Sequence, residues 1–157
     1  MLHPAPTTKI DPTIARGTIL EVRRASATKP AVVIVEFPNN SYKSEFLIKG
    51  ELEPLEACEG KLVMGRIFAQ ARRIDTPQAG GRKIDPCFGP PRRVMGTVVA
   101  VDPHADVVVM DAGAPVILSL TAPGQNASQF KSAEFIACDI LPGASFKLIG
   151  ECEKSNA

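Results

Sequence analysis

Three pairs of cations punctuate one stretch of this chain, Arg72-Arg73, Arg82-Lys83 and Arg92-Arg93, and such a line suits the phosphates of a nucleic-acid backbone. Arg23-Arg24 repeats the pattern nearer the start, Tyr42-Lys43 sets a stacking ring beside an ammonium, and Phe88 adds a second ring. The chemistry these residue types support is single-strand binding by charge and base stacking. Against it, aromatic residues make up 5% of the chain and tryptophan is absent, so stacking platforms are few. Solvated or interface charge accounts for the same pairs. Nucleic-acid binding through residues 66–93 is therefore the alternative reading and not the leading one.

A histidine stands between carboxylates in Asp102-Pro103-His104-Ala105-Asp106, where alternate residues of an extended segment share a side and can coordinate a metal. The other histidine is His3, far off in sequence, and Pro103 fits a polar hairpin loop, so the loop is the preferred reading. Cys58 and Cys138 each follow an alanine in apolar surroundings, with no histidine to activate a thiolate, and read as reduced, buried thiols. The four cysteines show no CxxC spacing, which argues against a zinc site and against a disulfide framework. Gly80-Gly81-Arg82-Lys83 lacks the spacing of a P-loop, and Asn126-Ala127-Ser128 reads as a helix cap before it reads as a glycosylation acceptor. No base, nucleophile or metal cluster can be assembled, so the expectation is a protein without enzymatic activity and without a cofactor.

At 157 residues the chain can bury a real core, about 68–70% of its extended surface at this size. Hydrophobic residues at 45% and charged residues at 22% place it among globular domains, with 14 prolines and 12 glycines serving as turn punctuation. No apolar run reaches the roughly 18 residues of a bilayer span, and Met1 to Lys9 lacks a secretory core, so no membrane contact and a cytoplasmic location are expected. The net charge of +1 conceals an imbalance: residues 1–93 carry +5 and residues 94–157 carry −4. Seven basic and two acidic residues fall between Arg66 and Arg93. Opposite charge of this kind suits an acidic ligand, or one half of a neighbouring copy.

The elements that must position these residues repeat. Lys9-Ile10-Asp11-Pro12 recurs as Lys83-Ile84-Asp85-Pro86, and the strands that follow are alike: Arg16 to Val22 and Met95 to Val101. Second strands (Ala31 to Phe37; Val107 to Met110), third strands (Glu45 to Ile48; Val116 to Leu120) and an Ala-Cys segment then recur in order, with closing strands at Lys61 to Phe68 and Ser145 to Ile149. Asp111 to Pro115 marks a hairpin turn and Pro38-Asn39-Asn40 another. Leu55 to Cys58 predicts one helical turn stopped by Gly60, and Ser128 predicts a capped helix over Gln129 to Cys138.

The organisation expected is an internal duplication: a tail over 1–8, a first β-barrel unit over 9–82, a second over 83–152, and a tail over 153–157. The fold class is all-β, with one or two short helices. Three strands, a short helix and one or two closing strands per unit resemble the OB-fold, a small Greek-key barrel. The resemblance implies a ligand face on strands two and three, here Val32 to Phe37, the Pro38 to Lys43 turn and Glu45 to Ile48, where Tyr42 and Lys43 alone suit a base and a phosphate. If Thr18, Leu20 and Val22 face inward, with Thr97, Val99 and Val101 in the second unit, the other faces still carry Ile19, Val98, Val32 and Ile34. Such faces are too apolar for open water and mark an interface. The leading expectation is a binding or assembly module that engages a protein partner or a second copy of itself.

Overall fold

Short runs of β-branched residues, such as Val-Val-Ile-Val-Glu at 32–36 and Val-Val-Val-Met-Asp at 107–111, favour extended backbone because their branched side chains pack well on a pleated surface. In the computed structural model, which describes residues 11–38, 42–150 and 152, these runs become eleven strands. They are β1 (Ala15–Arg23), β2 (Val32–Glu36), β3 (Lys43–Ile48), β4 (Leu62–Ala71), β5 (Lys83–Asp85), β6 (Phe88–Gly89), β7 (Arg93–Asp102), β8 (Val107–Asp111), β9 (Pro115–Leu120), β10 (Phe135–Asp139) and β11 (Ser145–Ile149). One helix, α1 (Glu53–Ala57), follows β3, and a 3-10 turn spans Ala127–Gln129. The expected tails at 1–8 and 153–157, with His3, Lys9-Ile10 and the Asn39-Asn40 turn, lie outside the described residues.

The all-β expectation holds, and a closed barrel stands at its centre. β1 pairs antiparallel with β2 and β4, β2 with β3, and β11 closes the ring, parallel to β3 and antiparallel to β4. Phe37, Phe46 and Phe146 fill the interior together with Ile19, Val33 and Ile67. The Phe46 and Phe146 rings stack with centroids 6.2 Å apart, and Phe37 meets Phe46 edge-on at 6.3 Å. Fully burying each such side chain contributes about 1.5–3 kcal/mol.

A single sheet path runs through both halves of the chain. β4 is its shared member. The first part of β4 lies on β1, and its last four residues run parallel to β9, with Phe68 beside Ile117 and Ala71 beside Leu120. From β9 the ladder continues through β8 and β7 to β10, and the chain leaving β4 returns to β10 through bridges Ala71↔Ile140 and Asp75↔Ala137. The closing strand expected for the second unit, Ser145 to Ile149, therefore completes the ring of the first.

The two halves pair in matching ways. β1 bulges against β2 between Ile19 and Glu21, and β7 bulges against β8 between Val98 and Ala100. The Ile19 N–H donates to the Lys61 carbonyl at 3.1 Å and its carbonyl accepts from Gly60; the Val98 N–H donates to Glu134 at 2.8 Å and its carbonyl accepts from Ala133. Gly60 and Ala133 both hold positive φ, +80° and +75°. Gly17 lies opposite Val63, as Gly96 lies opposite Ile136. A Cβ on Gly17 would sit 2.6 Å from Val35 Cγ1, and one on Gly96 would strike the Asp111 carbonyl, so each first strand crosses its neighbour where only glycine fits.

Three expectations need correction. The helix over Gln129 to Cys138 is replaced by the 3-10 turn and β10, because Phe130 is extended and ends the 3-10 turn, Ala133 is left-handed, and residues 135–139 pair with β7. Cys138 therefore lies opposite Val94 on a strand, the place Gly65 holds opposite Ala15 in the first half, and does not match Cys58. Cys58 is no reduced thiol either: it forms a disulfide with Cys152, the bond that β11 brings back against α1. The α1 turn itself, ended by Gly60, forms as expected.

Candidate functional site

The basic residues come together only in part. Arg93 lies in register with Asp85 of β5 on one side and Asp139 of β10 on the other, and its Nη1 donates to Asp139 Oδ1 at 3.0 Å. Arg72 joins the same row through its backbone, its N–H donating to the Asp139 carbonyl at 2.8 Å, while the Arg92 N–H donates to the Asp85 carbonyl at 2.7 Å. The result is a cross-strand row of alternating charge at one end of the sheet. Lys83 Nζ is 3.1 Å from Asp85, Arg82 Nη1 is 2.9 Å from Asp111, and Lys43 Nζ is 4.0 Å from Glu36. Arg24 forms a two-pronged bond to Glu56, and Arg23 pairs with Glu21 and Glu45, the Glu21 carboxylate holding the guanidinium above its ordinary range. Arg72, Arg73 and Arg92 make no ion pair with another described residue. Tyr42 is 8% exposed and its ring belongs to the core, whereas Phe88 is 64% exposed with Lys43 Nζ 5.6 Å from its centroid.

The apolar faces are offset by one residue from expectation. Ile19 and Val98 are buried in the core, and the outward side chains are Leu20 and Val99, together with Thr18 and Thr97. Val22, one step past the bulge, faces inward as expected. Val32 and Ile34 are half-buried on the outer side of β2, opposite Leu47 and Glu45. Leu20, Leu62 and Met64 stand 41%, 36% and 40% exposed on neighbouring strands. Leu62 lies opposite Thr18, Met64 opposite Arg16 on β1 and Ile149 on β11, and Lys147 opposite Arg66. An apolar stripe thus crosses β1, β4 and β11, bordered by Arg16, Arg66 and Lys147 and, beside Thr18 on the β2 side, by Glu36. Its sequence signal was the glycine at position 17, whose close approach fixes the inward phase of β1.

Two grooves flank the corner at Pro142-Gly143. One, of ≈390 Å³, opens on β3 between Val32, Leu47 and the prolines Pro90, Pro91 and Pro142, and its Glu45 carboxylate is tied to Arg23 at 3.5 Å. It adjoins the ligand face that the OB-fold resemblance implies. The other, of ≈330 Å³, lies where β4, β9 and β11 meet.

The remaining candidates are structural in their contacts. Asp102 Oδ1 accepts from the His104 and Ala105 N–H groups in a hairpin turn, and Asp106 Oδ1 accepts from the Ala127 N–H at 2.7 Å. Among the described residues, no three His, Cys, Asp or Glu side chains stand together as metal ligands. Burial pushes the Cys138 thiol up to about 12, which leaves it protonated and unreactive at neutral pH; Cys87 is exposed. No helix among the described residues is long and apolar enough to cross a membrane.

No protein-family model, curated protein or solved structure matches this chain.

Proposed function

We propose that this chain is a non-enzymatic binding and assembly module, two OB-like barrels arisen by duplication, whose outer face on β1, β4 and β11 packs against a second copy of the chain. The observation that carries the reading is the stripe of Leu20, Leu62 and Met64, each at least a third exposed on adjacent strands. Contiguous apolar surface of this kind is characteristic of interfaces. Its border of Arg16 and Lys147 suits the acidic half of another copy, since residues 94–157 carry −4. Matched bulges, the paired glycines and the equal treatment of Ile19 and Val98 support duplication. The strand order β1-β2-β3, then α1, then β4 with β11 between β3 and β4, supports the OB-like reading.

Sedimentation velocity tests the reading. The wild-type chain should sediment as a dimer or larger species that dissociates as salt rises, and Met64→Glu should sediment as a monomer. An unchanged distribution in Met64→Glu would remove this face from the assembly.

A second reading, binding of single-stranded nucleic acid, keeps one observation in its favour. Arg72, Arg73 and Arg92 are free of ion pairs to described residues, and Phe88 is open for stacking. Three phosphate contacts would give a salt slope of roughly −2 for a fluorescent oligonucleotide. No binding at low ionic strength would remove it. For the compartment, the Cys58–Cys152 bond weighs against the cytoplasmic expectation, because such bonds persist in oxidising surroundings.

A further inference from the structure

The groove at the seam of the two halves is lined by an ammonium, a carboxamide and two hydroxyl side chains. Inward positions of the shared strand, Ile67, Ala69 and Ala71, are buried, so Phe68 and Gln70 project outward between β11 and β9. Register sets Gln70 beside Ser119 of β9 and Phe68 beside Ser145 of β11. Lys49 arrives from the end of β3, its N–H bonded to the Phe146 carbonyl at 3.0 Å. Its Nζ stands 4.0 Å over the Phe68 ring, which holds the ammonium at the groove with no carboxylate partner among the described residues.

Four polar groups therefore converge on the ≈330 Å³ cleft: an ammonium, a carboxamide and two hydroxyls. None of these side chains makes a hydrogen bond or ion pair to another described residue, so all four groups are available to a ligand. Among the described residues no acidic side chain lines the cleft, and Pro142 and Phe68 supply apolar walls. Convergent donors beside an apolar wall are the usual makings of a small-molecule site. All four groups can donate a hydrogen bond, and one carries positive charge. The groove across the Pro142 corner is mostly apolar, and its one charged lining residue, Glu45, is paired with Arg23.

We propose that the seam cleft binds a small organic anion, a carboxylate or phosphate ester, whose oxygens meet Lys49, Gln70, Ser119 and Ser145 while its body lies against Phe68 and Pro142. The site needs both halves of the chain, since β9 belongs to the second and Lys49 to the first. It goes beyond the assembly reading, and its test does not depend on molecular mass.

The experiment is a backbone amide NMR titration of the full chain with two probes, inorganic phosphate and benzoate, at constant ionic strength. Saturable shifts centred on Lys49, Gln70, Ser119 and Ser145 are expected, with benzoate also moving Phe68. Lys49→Ala should weaken binding about tenfold or more, the scale of one charge-assisted hydrogen bond, while Lys131→Ala should leave it unchanged. Gln70→Ala gives a second variant if Lys49→Ala disturbs β3. Phosphate binding alone assigns the oxyanion contacts without the apolar wall and overturns the organic-anion form of the proposal. Absence of saturable shifts with either probe up to roughly 50 mM, or equal shifts in wild type and Lys49→Ala, overturns it altogether.

Discussion

Replacing Cys58 and Cys152 by serine should cost this chain a large share of its stability. The bond joins residues 94 apart in sequence, so it encloses nearly the whole second half and pins the end of β11 beside α1. β11 is the strand that closes the first barrel between β3 and β4, and it arrives last in the chain. The chain-entropy account of cross-links gives about 4–5 kcal/mol for a loop of that length. Domains of this class hold only about 5–15 kcal/mol in all, so the loss is about a quarter of the total or more. The expected fall in Tm is roughly 10–20 °C at this size. Guanidinium unfolding of wild type and Cys58→Ser/Cys152→Ser, each with and without reductant, supplies the measurement. Reductant should lower the wild type to the level of the variant and leave the variant alone. A difference below about 1 kcal/mol would refute the reasoning, as it would mean that β11 is held by its ladder and by Phe146 with no help from the cross-link. Thiol counting under denaturing, non-reducing conditions checks the premise: Cys87 and Cys138 should react and the other two should not.

Other consequences follow from single positions. Gly17→Ala and Gly96→Ala should each destabilise by about 1–3 kcal/mol or more in chemical denaturation, because an added Cβ meets Val35 and the Glu36 carbonyl in one half and the Asp111 carbonyl in the other. Ser44→Ala should be neutral or stabilising by about 1 kcal/mol, since the Ser44 hydroxyl is fully buried with no hydrogen-bond partner among the described residues. The Asp11 carboxyl is held down to about 2 by the Thr13 hydroxyl at 2.6 Å, by the Thr13 N–H and by Arg66. Its folded value lies below its unfolded one, so its contribution is complete above about pH 4 and is lost as pH falls through 2. Asp11→Asn should therefore lower stability at pH 6, by less than about 1 kcal/mol because the site is solvent-screened, and the difference should fade as pH falls below about 2.

Much of the architecture was legible in local sequence because its signals are local. Runs of valine and isoleucine marked β2, β8 and β9, Asp111 to Pro115 marked the turn between β8 and β9, and Gly60 marked the end of α1. What failed were the features that depend on contacts far along the chain. Alternation in Arg16 to Val22 allows two phases, and the bulge after Ile19 puts both in use on one strand, which misplaced Ile19 and Val98 on an outer face. Phe130, Ala133, Ala137 and Cys138 fit a helical spacing, yet Phe135 to Asp139 gains more by lying against β7, where Ile136 and Cys138 are buried. Nothing near Cys58 announces Cys152, since only the return of β11 to the first barrel brings them together. The arginine pairs were visible from the start, but their carboxylate partners Asp111 and Asp139 come from strands paired across the fold. The stripe of Leu20, Leu62 and Met64 was hidden for the same reason: its members come from two strands some forty positions apart.

The most direct test of the assembly claim is the light-scattering mass of the purified wild-type chain at high concentration and low salt. A mass of at least twice 16.7 kDa that falls toward the monomer on dilution agrees with the account. A constant mass of 16.7 kDa across that range contradicts it.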